Sequence, residues 1–189
     1  MNMNAAEAKS KIEAAVPGAV LKLIRDTILI ENPSDLPRAA RFLKDSEYRL
    51  DYLCSVTGAD YLQYLESVYH LYSMEKKTGP FVLRVRTNRE NPSIPSLVSI
   101  YRSAEFQERE AYDLYGIVYE NHPDLRRIFM WEGFEGFPMR KDYAQEDSEI
   151  LEEADLAWLE KNGLEVTEEM KKQAEEYKKQ EPKIQHKEE

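Results

Sequence analysis

A chain of 189 residues with 42% hydrophobic content carries one globular domain with a single core plus an appendage, which excludes two full domains. Its formal net charge of -10 excludes a nucleic-acid partner, because phosphate binding takes Lys and Arg clustered on one face. The single cysteine, Cys54, excludes an intramolecular disulfide and a cysteine-ligated iron-sulfur cluster, and it permits a reducing setting.

The charge is unevenly spread, with 21 acidic against 19 basic residues through Tyr143, net -2, and 15 against 7 from Ala144 onward, net -8. The body is close to neutral and the tail is acidic. No run approaches the roughly 18 apolar residues that span a bilayer. The start MNMNAAEAKSKIEAAV lacks the basic end, apolar run and cleavage site of a signal peptide. Membrane association is expected only through a partner.

In chain order, Ala5, Ala8, Ile12 and Ala15 repeat at helical spacing until Pro17-Gly18, which predicts a short amphipathic helix. Val20 to Ile24 and Thr27 to Ile30 read as a hairpin around Arg25-Asp26. Ser34 is placed to cap a helix whose apolar stripe is Leu36, Ala39, Ala40 and Leu43, with Pro37 tolerated in the first turn. Tyr48 to Val56, Tyr61 to Tyr72 and Phe81 to Thr87 read as strands, separated by Gly58-Ala59-Asp60 and by Lys76 to Pro80. In the last of these, Phe81, Leu83 and Val85 alternate with Val82, Arg84 and Arg86, one face for the core and one for water or a partner. Cys54 reads as a small core residue. Short connections favour antiparallel pairing, and the fold class is α+β, a mostly antiparallel sheet with helices packed on one face.

Asn91 to Ser96 marks a loop, and Leu97 to Tyr101 and Ala104 to Tyr115 read as helical, with Gly116 ending the second. Beyond Gly116 the chain turns irregular, with Pro123, Gly133, Gly136 and Pro138 among many aromatics. Long irregular segments in a compact domain are functional or disordered, and this one is too aromatic for disorder. A further helix is expected from Ser148 to Lys161, along Ile150, Ala154 and Trp158 and closed by Asn162-Gly163. Past Thr167 a solvated helix would rest on Glu168 with Lys172 and Glu175 with Lys179, until Pro182. The organisation is then an α+β domain over 1–116, an extended interaction segment over 117–147 and an acidic helical tail over 148–189.

The chemistry gathers between Glu108 and Tyr143, where Glu110, Asp113, His122, Arg126, Arg127, Arg140, Lys141 and Asp142 interrupt any apolar period. Glu110 and Asp113 share a helix face as a candidate carboxylate pair, yet acids this dense beside Arg102 and Arg109 read first as an ion-pair network. The turn His122-Pro123-Asp124 invites a metal or general-base reading, but one His without His or Cys at ligand spacing makes no metal site. His70 lies in a strand and His186 in the tail. Arg126-Arg127 and Arg140-Lys141 lack the Gly-rich loop of a phosphate cradle, so carboxylate recognition suits their planar forks better. Trp131, Phe134, Phe137 and Tyr143 fit either the aromatic centre of an interface or an ordinary cluster under a loop.

Several motifs in this stretch carry a resemblance: Glu108-Arg109-Glu110, Tyr112, Asp113, Tyr115-Gly116, His122 to Arg127 and Pro138 to Tyr143, flanked by Tyr101 to Ala104. Together they resemble the C-terminal signature of the C-type subunit of the proton-translocating NADH-quinone oxidoreductases, respiratory complex I, including the homologous J-type subunit of the chloroplast and cyanobacterial complex. The match covers Tyr101 to Tyr143, is textural from Val20 to Asn91 and stops before the tail. The resemblance implies a non-redox structural subunit of the hydrophilic arm, docked on the D-type, quinone-site subunit, on the cytoplasmic side of a membrane. It implies no cofactor on this chain and no catalytic residue, with NAD or ferredoxin, FMN, iron-sulfur clusters and quinone held elsewhere in the complex. Interface or structural roles fall to Glu108, Arg109, Glu110, Asp113, His122, Pro123, Asp124, Arg126, Arg127, Trp131, Phe137, Arg140, Lys141 and Asp142. Phe137 stands where many bacterial members have His, and Met139 where Leu is usual; the first resembles the plant and cyanobacterial form, whose donor is ferredoxin. The alternatives are the equivalent subunit of a ferredoxin- or deazaflavin-linked dehydrogenase or membrane-bound hydrogenase, and, in another class, a stand-alone hydrolase using Glu110, Asp113 and His122.

Overall fold

The most regular alternation in the sequence forms the middle of the sheet. In this computed structural model, residues 4–131, 133–143, 153–161, 166–168, 170–172 and 174–175 are described, and the chain divides into two units, Met1–Tyr143 and Ala144–Glu189. In the first, strands β1 (Leu21–Ile24), β2 (Thr27–Ile30), β3 (Tyr52–Asp60), β4 (Tyr64–Ser73) and β5 (Thr78–Asn88) form one sheet in the order β1-β2-β5-β4-β3. Leu83 of β5 lies between Tyr69 and Ile28, and Val85 between Ser67 and Ile30, so one inward row runs across three strands. These apolar side chains are fully buried, each stabilising the fold by about 1.5–3 kcal/mol.

Pairing is antiparallel except between β2 and β5, which are parallel. A parallel pair needs a long crossover, and the chain between Ile30 and Thr78 supplies one through a helix and a hairpin. The outward row carries an ion-pair cluster: Glu66 is fully buried, with Arg84 and Arg86 both donating to its carboxylate. Arg86 also lies 4.5 Å over the Tyr64 ring, which stacks on Tyr61 at 5.0 Å. The expected turn at Gly58-Ala59-Asp60 is instead the last third of β3. Cys54 is exposed and not in the core. A register shift between Leu53 and Ser55 inserts it as an extra residue, so Leu53 and Val56 face inward on either side of it.

Helices α1 (Ala5–Ala15) and α2 (Leu36–Asp45) pack on the inward face. The Asn4 side chain caps α1 by accepting from the Ala6 and Glu7 N–H groups at 3.0 and 3.4 Å. Ala5, Ala8 and Ile12 are buried; Ala15 is exposed and Val16 fills its place. All four members of the α2 stripe are buried. Its cap position is Asp35, and Ser34 lies inside a preceding 3-10 turn, Pro33–Asp35, held by Asn32.

Two sequence expectations fail around the prolines. Ser93–Pro95 is a short strand, β6, in parallel register with β7, Val118–Glu120. Pro92 and Pro95 lack N–H groups, but a proline carbonyl can still accept, and Pro92 O takes the Val118 N–H at 2.9 Å. Leu97 to Tyr101 is one turn and not a helix; Ile100 and Tyr101 both donate to Leu97 O.

Helix α3 (Ala104–Tyr115) ends at Gly116 in the left-handed region, φ 73°. It closes the free edge of β3, where Ser103 Oγ donates to Leu53 O at 2.9 Å and the Gln107 side chain accepts the Val56 N–H. Gly58 on β3 faces the Tyr115 ring, and a Cβ there would overlap it. Gly58→Ala is expected to destabilise the fold by about 1–3 kcal/mol, as overpacking does. Urea unfolding reads this directly, and an unchanged midpoint would mean that Tyr115 can move aside freely.

In the second unit, α4 spans Glu153–Lys161 with Leu156 buried, and Ala174 is buried further on. Lys171, and not Lys172, pairs with Glu168, at 3.5 Å. The expectations at residues 148–152, 162–163, 179 and 182, and for the side chains of Ala154 and Trp158, lie outside the described residues.

Candidate functional site: the strap from Ile117 to Tyr143

Arg109 and Asp113 are one helical turn apart and so share a face of α3. Both are buried although charged, and each satisfies one polarity of the strap's backbone. Arg109 Nε donates to Arg126 O at 3.0 Å and its Nη2 to Arg127 O at 3.4 Å. Asp113 Oδ2 accepts the N–H groups of Ile128, Phe129 and Met130 at 2.9, 2.6 and 3.0 Å. Burial pushes the Asp113 carboxyl up, but the three donated N–H groups and Arg127 outweigh it and hold the group below the ordinary carboxylate range. A turn that would otherwise have to shed its own backbone groups to water is thereby seated on the helix.

The lower strap is fastened at three more points. Arg127 Nη2 donates to Gly136 O at 2.9 Å, and its guanidinium lies 5.2 Å from the Phe137 ring and 5.6 Å from Phe134. Phe137 presses on Gly116, where a Cβ would come within 2.5 Å of the ring; the Arg140 guanidinium lies 4.7 Å from the ring and donates to Tyr115 O at 2.7 Å. Asp60, at the end of β3, accepts from the Lys141 N–H at 2.8 Å, the Leu62 N–H at 2.6 Å and the Arg89 guanidinium, which also bonds Asp142. Burial raises the Asp60 carboxyl, and Arg89 with the two N–H donors more than reverses this, leaving it at about 2.

The other candidates divide clearly. His122 Nδ1 accepts the Asp124 N–H at 3.0 Å, so its Nε2 carries the proton and meets Glu105 O at 2.9 Å. Both ring nitrogens are committed to backbone. Pro123 is exposed at the same turn, and Asp124 receives Arg126 Nε at 2.9 Å with Arg109 3.7 Å away. Arg102 pairs with Glu105 at 2.9 Å. Glu110 is half-buried and forms no hydrogen bond or ion pair among the described residues. Glu108 turns the other way, into the core, accepting from Ser96 Oγ at 2.6 Å and Leu97 N–H at 2.7 Å; burial pushes its carboxyl up to about 7. No hydrogen bond joins any two of Glu110, Asp113 and His122, so the hydrolase constellation does not assemble.

With its backbone tied inward, the strap turns apolar side chains outward. Trp131 is 69% exposed, Phe129 54% and Met139 53%. Trp131 stands edge-on to Phe134 at 4.7 Å, and Phe134 stacks on Tyr143 at 6.1 Å. Sequence reasoning missed Asp60 and Arg89 as fasteners, because Asp60 read as a turn residue and Arg89 lies outside the motif. It also passed over the outward direction of Phe129, seated by Asp113, and of Met139, whose N–H donates to Leu114 O at 3.1 Å; no periodicity announces either. Among the described residues no group of three His, Cys, Asp or Glu is arranged to hold a metal, and no helix is long and apolar enough to cross a membrane.

Residues 29–149 match the family described as respiratory-chain NADH dehydrogenase, 30 Kd subunit. A C-type NADH-quinone oxidoreductase subunit of Rhizobium meliloti (strain 1021) is 44% identical over 116 residues, 59% of this chain and 62% of that protein, so the chain spans about three fifths of that relative. The C-type subunit of the NADH-quinone oxidoreductase of Roseiflexus sp. (strain RS-1) is 37% identical over 149 residues, 75% of this chain and 85% of the other. The chloroplastic J-type subunit of the NAD(P)H-quinone oxidoreductase of Zygnema circumcarinatum is 47% identical over 93 residues, 48% of this chain and 55% of the other. Among solved structures, the trypsin-resistant fragment (1-134) of Nqo5 is 27% identical, with a TM-score of 0.51 over 65% of this chain and all of the fragment. A chain of the membrane-bound sulfane sulfur reductase, an archaeal respiratory membrane complex, shares the fold at 22% identity, with a TM-score of 0.59 over 86% of this chain and 93% of the other.

Proposed function

The chain belongs to the respiratory-chain NADH dehydrogenase 30 Kd subunit family, and from that premise we propose that it is a non-redox structural subunit of the hydrophilic arm of a proton-translocating NADH-quinone oxidoreductase. It docks through its strap onto the quinone-site subunit and holds that redox neighbour in place, with NAD, FMN, iron-sulfur clusters and quinone carried by other subunits. One observation supports this most: Arg109 and Asp113 of α3 hold the strap's backbone inward, and the strap presents Phe129, Trp131 and Met139 to the outside. Exposed aromatics on a rigidly held segment cost little ordering entropy when a partner covers them, which is the anatomy of an interface hot spot. Membrane association follows from the complex.

The Phe137 ring is used within the strap, against Gly116, Arg127 and Arg140. Trp131→Asp is expected to leave the isolated chain folded and to reduce its incorporation into the membrane complex by about tenfold or more, the cost of losing one hot spot. Tagged chain is quantified per solubilised complex in cells lacking the natural copy. Full incorporation of both Trp131→Asp and Phe129→Asp would remove the docking reading.

A further inference from the structure

Beside the outward aromatics, the end of α3 and the strap enclose a cleft of about 460 Å³, lined by Tyr112, Leu125, Arg126, Arg127, Met130 and Gly133. Its walls are aromatic and aliphatic; its two charged residues are both Arg. Arg127 has one nitrogen on Gly136 O, while its buried Nη1 has no hydrogen-bond partner among the described residues and faces Asp113 Oδ1 at 3.5 Å. Arg126 uses only Nε, on Asp124, and its side chain is 70% exposed, so both terminal nitrogens lack a partner among the described residues.

We propose that this cleft receives a carboxylate side chain carried on an otherwise apolar segment of the partner polypeptide, with Arg126 as the principal cation. The inference rests on the docking reading and specifies the chemistry of what docks. A planar guanidinium whose Nε is already fixed offers its remaining edge in a set direction, which suits a carboxylate better than a diffuse charge. Phe129 and Trp131 adjoin the cleft residue Met130 along the chain, so the occupant has to cover apolar surface as well as supply an anion. A free phosphate or carboxylate satisfies only the Arg pair, whereas an acidic side chain flanked by apolar ones satisfies both. The charge partner on the other side is therefore Asp or Glu, set beside the apolar contact that it orients.

The test uses the full chain in its complex and the Arg that the domain itself needs least. Arg126→Glu is expected to lower retention of the chain per complex by about tenfold or more at low salt, Arg126→Lys by less, and Arg126→Glu by a smaller factor in high salt. Trypsin sensitivity of the free variant confirms that the strap is still seated. Wild-type retention of Arg126→Glu, with Trp131→Asp still released, overturns the carboxylate site and leaves docking intact. Wild-type retention of both variants overturns docking itself. Binding of the free chain to phosphatidylcholine–phosphatidylserine vesicles, lost in Arg126→Glu, would assign the Arg to a lipid surface and overturn the polypeptide partner.

Discussion

Asp113→Ala is expected to release the strap from α3 while leaving the sheet folded. The carboxylate accepts three backbone N–H groups from consecutive residues and stands beside Arg127. Charge-assisted bonds contribute about 1.5–3 kcal/mol each when buried, but their sum is not the expected loss. Once the turn lifts off, its N–H groups are solvated by water, so the cost is capped at the free energy of seating the strap. A loss of about 3–5 kcal/mol for strap closure, typical of a buried charge network broken on one side, is the working figure. The strap contains Arg126, Arg127, Arg140 and Lys141, so limited trypsin digestion reads its opening. Cleavage is expected to accelerate by roughly a hundredfold or more when opening is fast relative to cutting, while the unfolding midpoint of the body moves little. Asp113→Asn, which keeps an acceptor but no charge, should fall between. Cleavage at the wild-type rate in Asp113→Ala would mean that the aromatics and Arg109 hold the strap alone. The same bond network has a pH signature. Asp113 and Asp60 sit below their ordinary values when folded, so their contribution is complete above about pH 4 and is lost as pH falls, through about 2 for Asp60. Acid should therefore open the strap at Asp113 and at the Asp60–Arg89–Asp142 clamp.

How much of this was legible in the sequence depended on how local the determining interaction is. The α2 stripe, the β5 alternation and the Gly116 stop are written in neighbouring residues, and all three hold. The β2–β5 parallel pair and the β6–β7 pair are non-local, joined across long stretches of chain, and no periodicity announces them. Cys54 was misplaced because one extra residue reverses the inward parity of a strand, which period-two reasoning cannot anticipate. The motif's charges were legible as groups that break any apolar period, although Glu108, Arg109 and Asp113 are buried, and their density suggested fasteners over catalysts. Which group each fastens was not legible, because Asp113 and Arg109 bind backbone atoms, and backbone atoms leave no mark on residue type. Glu108, Arg109 and Glu110 look alike as a triplet, yet helical geometry sends Glu108 into the core and Arg109 to the strap, and leaves Glu110 without a bonded partner among the described residues.

Glu108 carries the second large expectation, because it is a fully buried carboxyl with two hydrogen-bond donors and no cation paired with it among the described residues. Burial raises it to about 7 in the fold against an ordinary 4.5. Folding therefore favours the protonated form. Below about pH 4.5 both folded and unfolded chains hold the proton and Glu108 imposes no ionisation penalty. As pH rises from there toward 7 the unfolded chain loses its proton first, and stability falls by roughly 3 kcal/mol before levelling off. Glu108→Gln keeps the volume and an acceptor for the Leu97 N–H but cannot ionise. It is expected to remove that slope, so that the variant is more stable than wild type above neutrality and no more stable near pH 4.5, where the amide must also find an acceptor. Urea unfolding of the two chains across this range provides the measurement, and parallel curves would mean that Glu108 ionises in the folded state as easily as in water. The acid is tolerated for what it positions. Ser96 and Leu97 lead into the turn that starts α3, and α3 is the element on which Arg109 and Asp113 seat the strap. If that coupling holds, the Gln variant at high pH should show slower trypsin cleavage at Arg126 and Arg127 as well as a higher unfolding midpoint, whereas a midpoint shift with unchanged cleavage would confine Glu108 to the core.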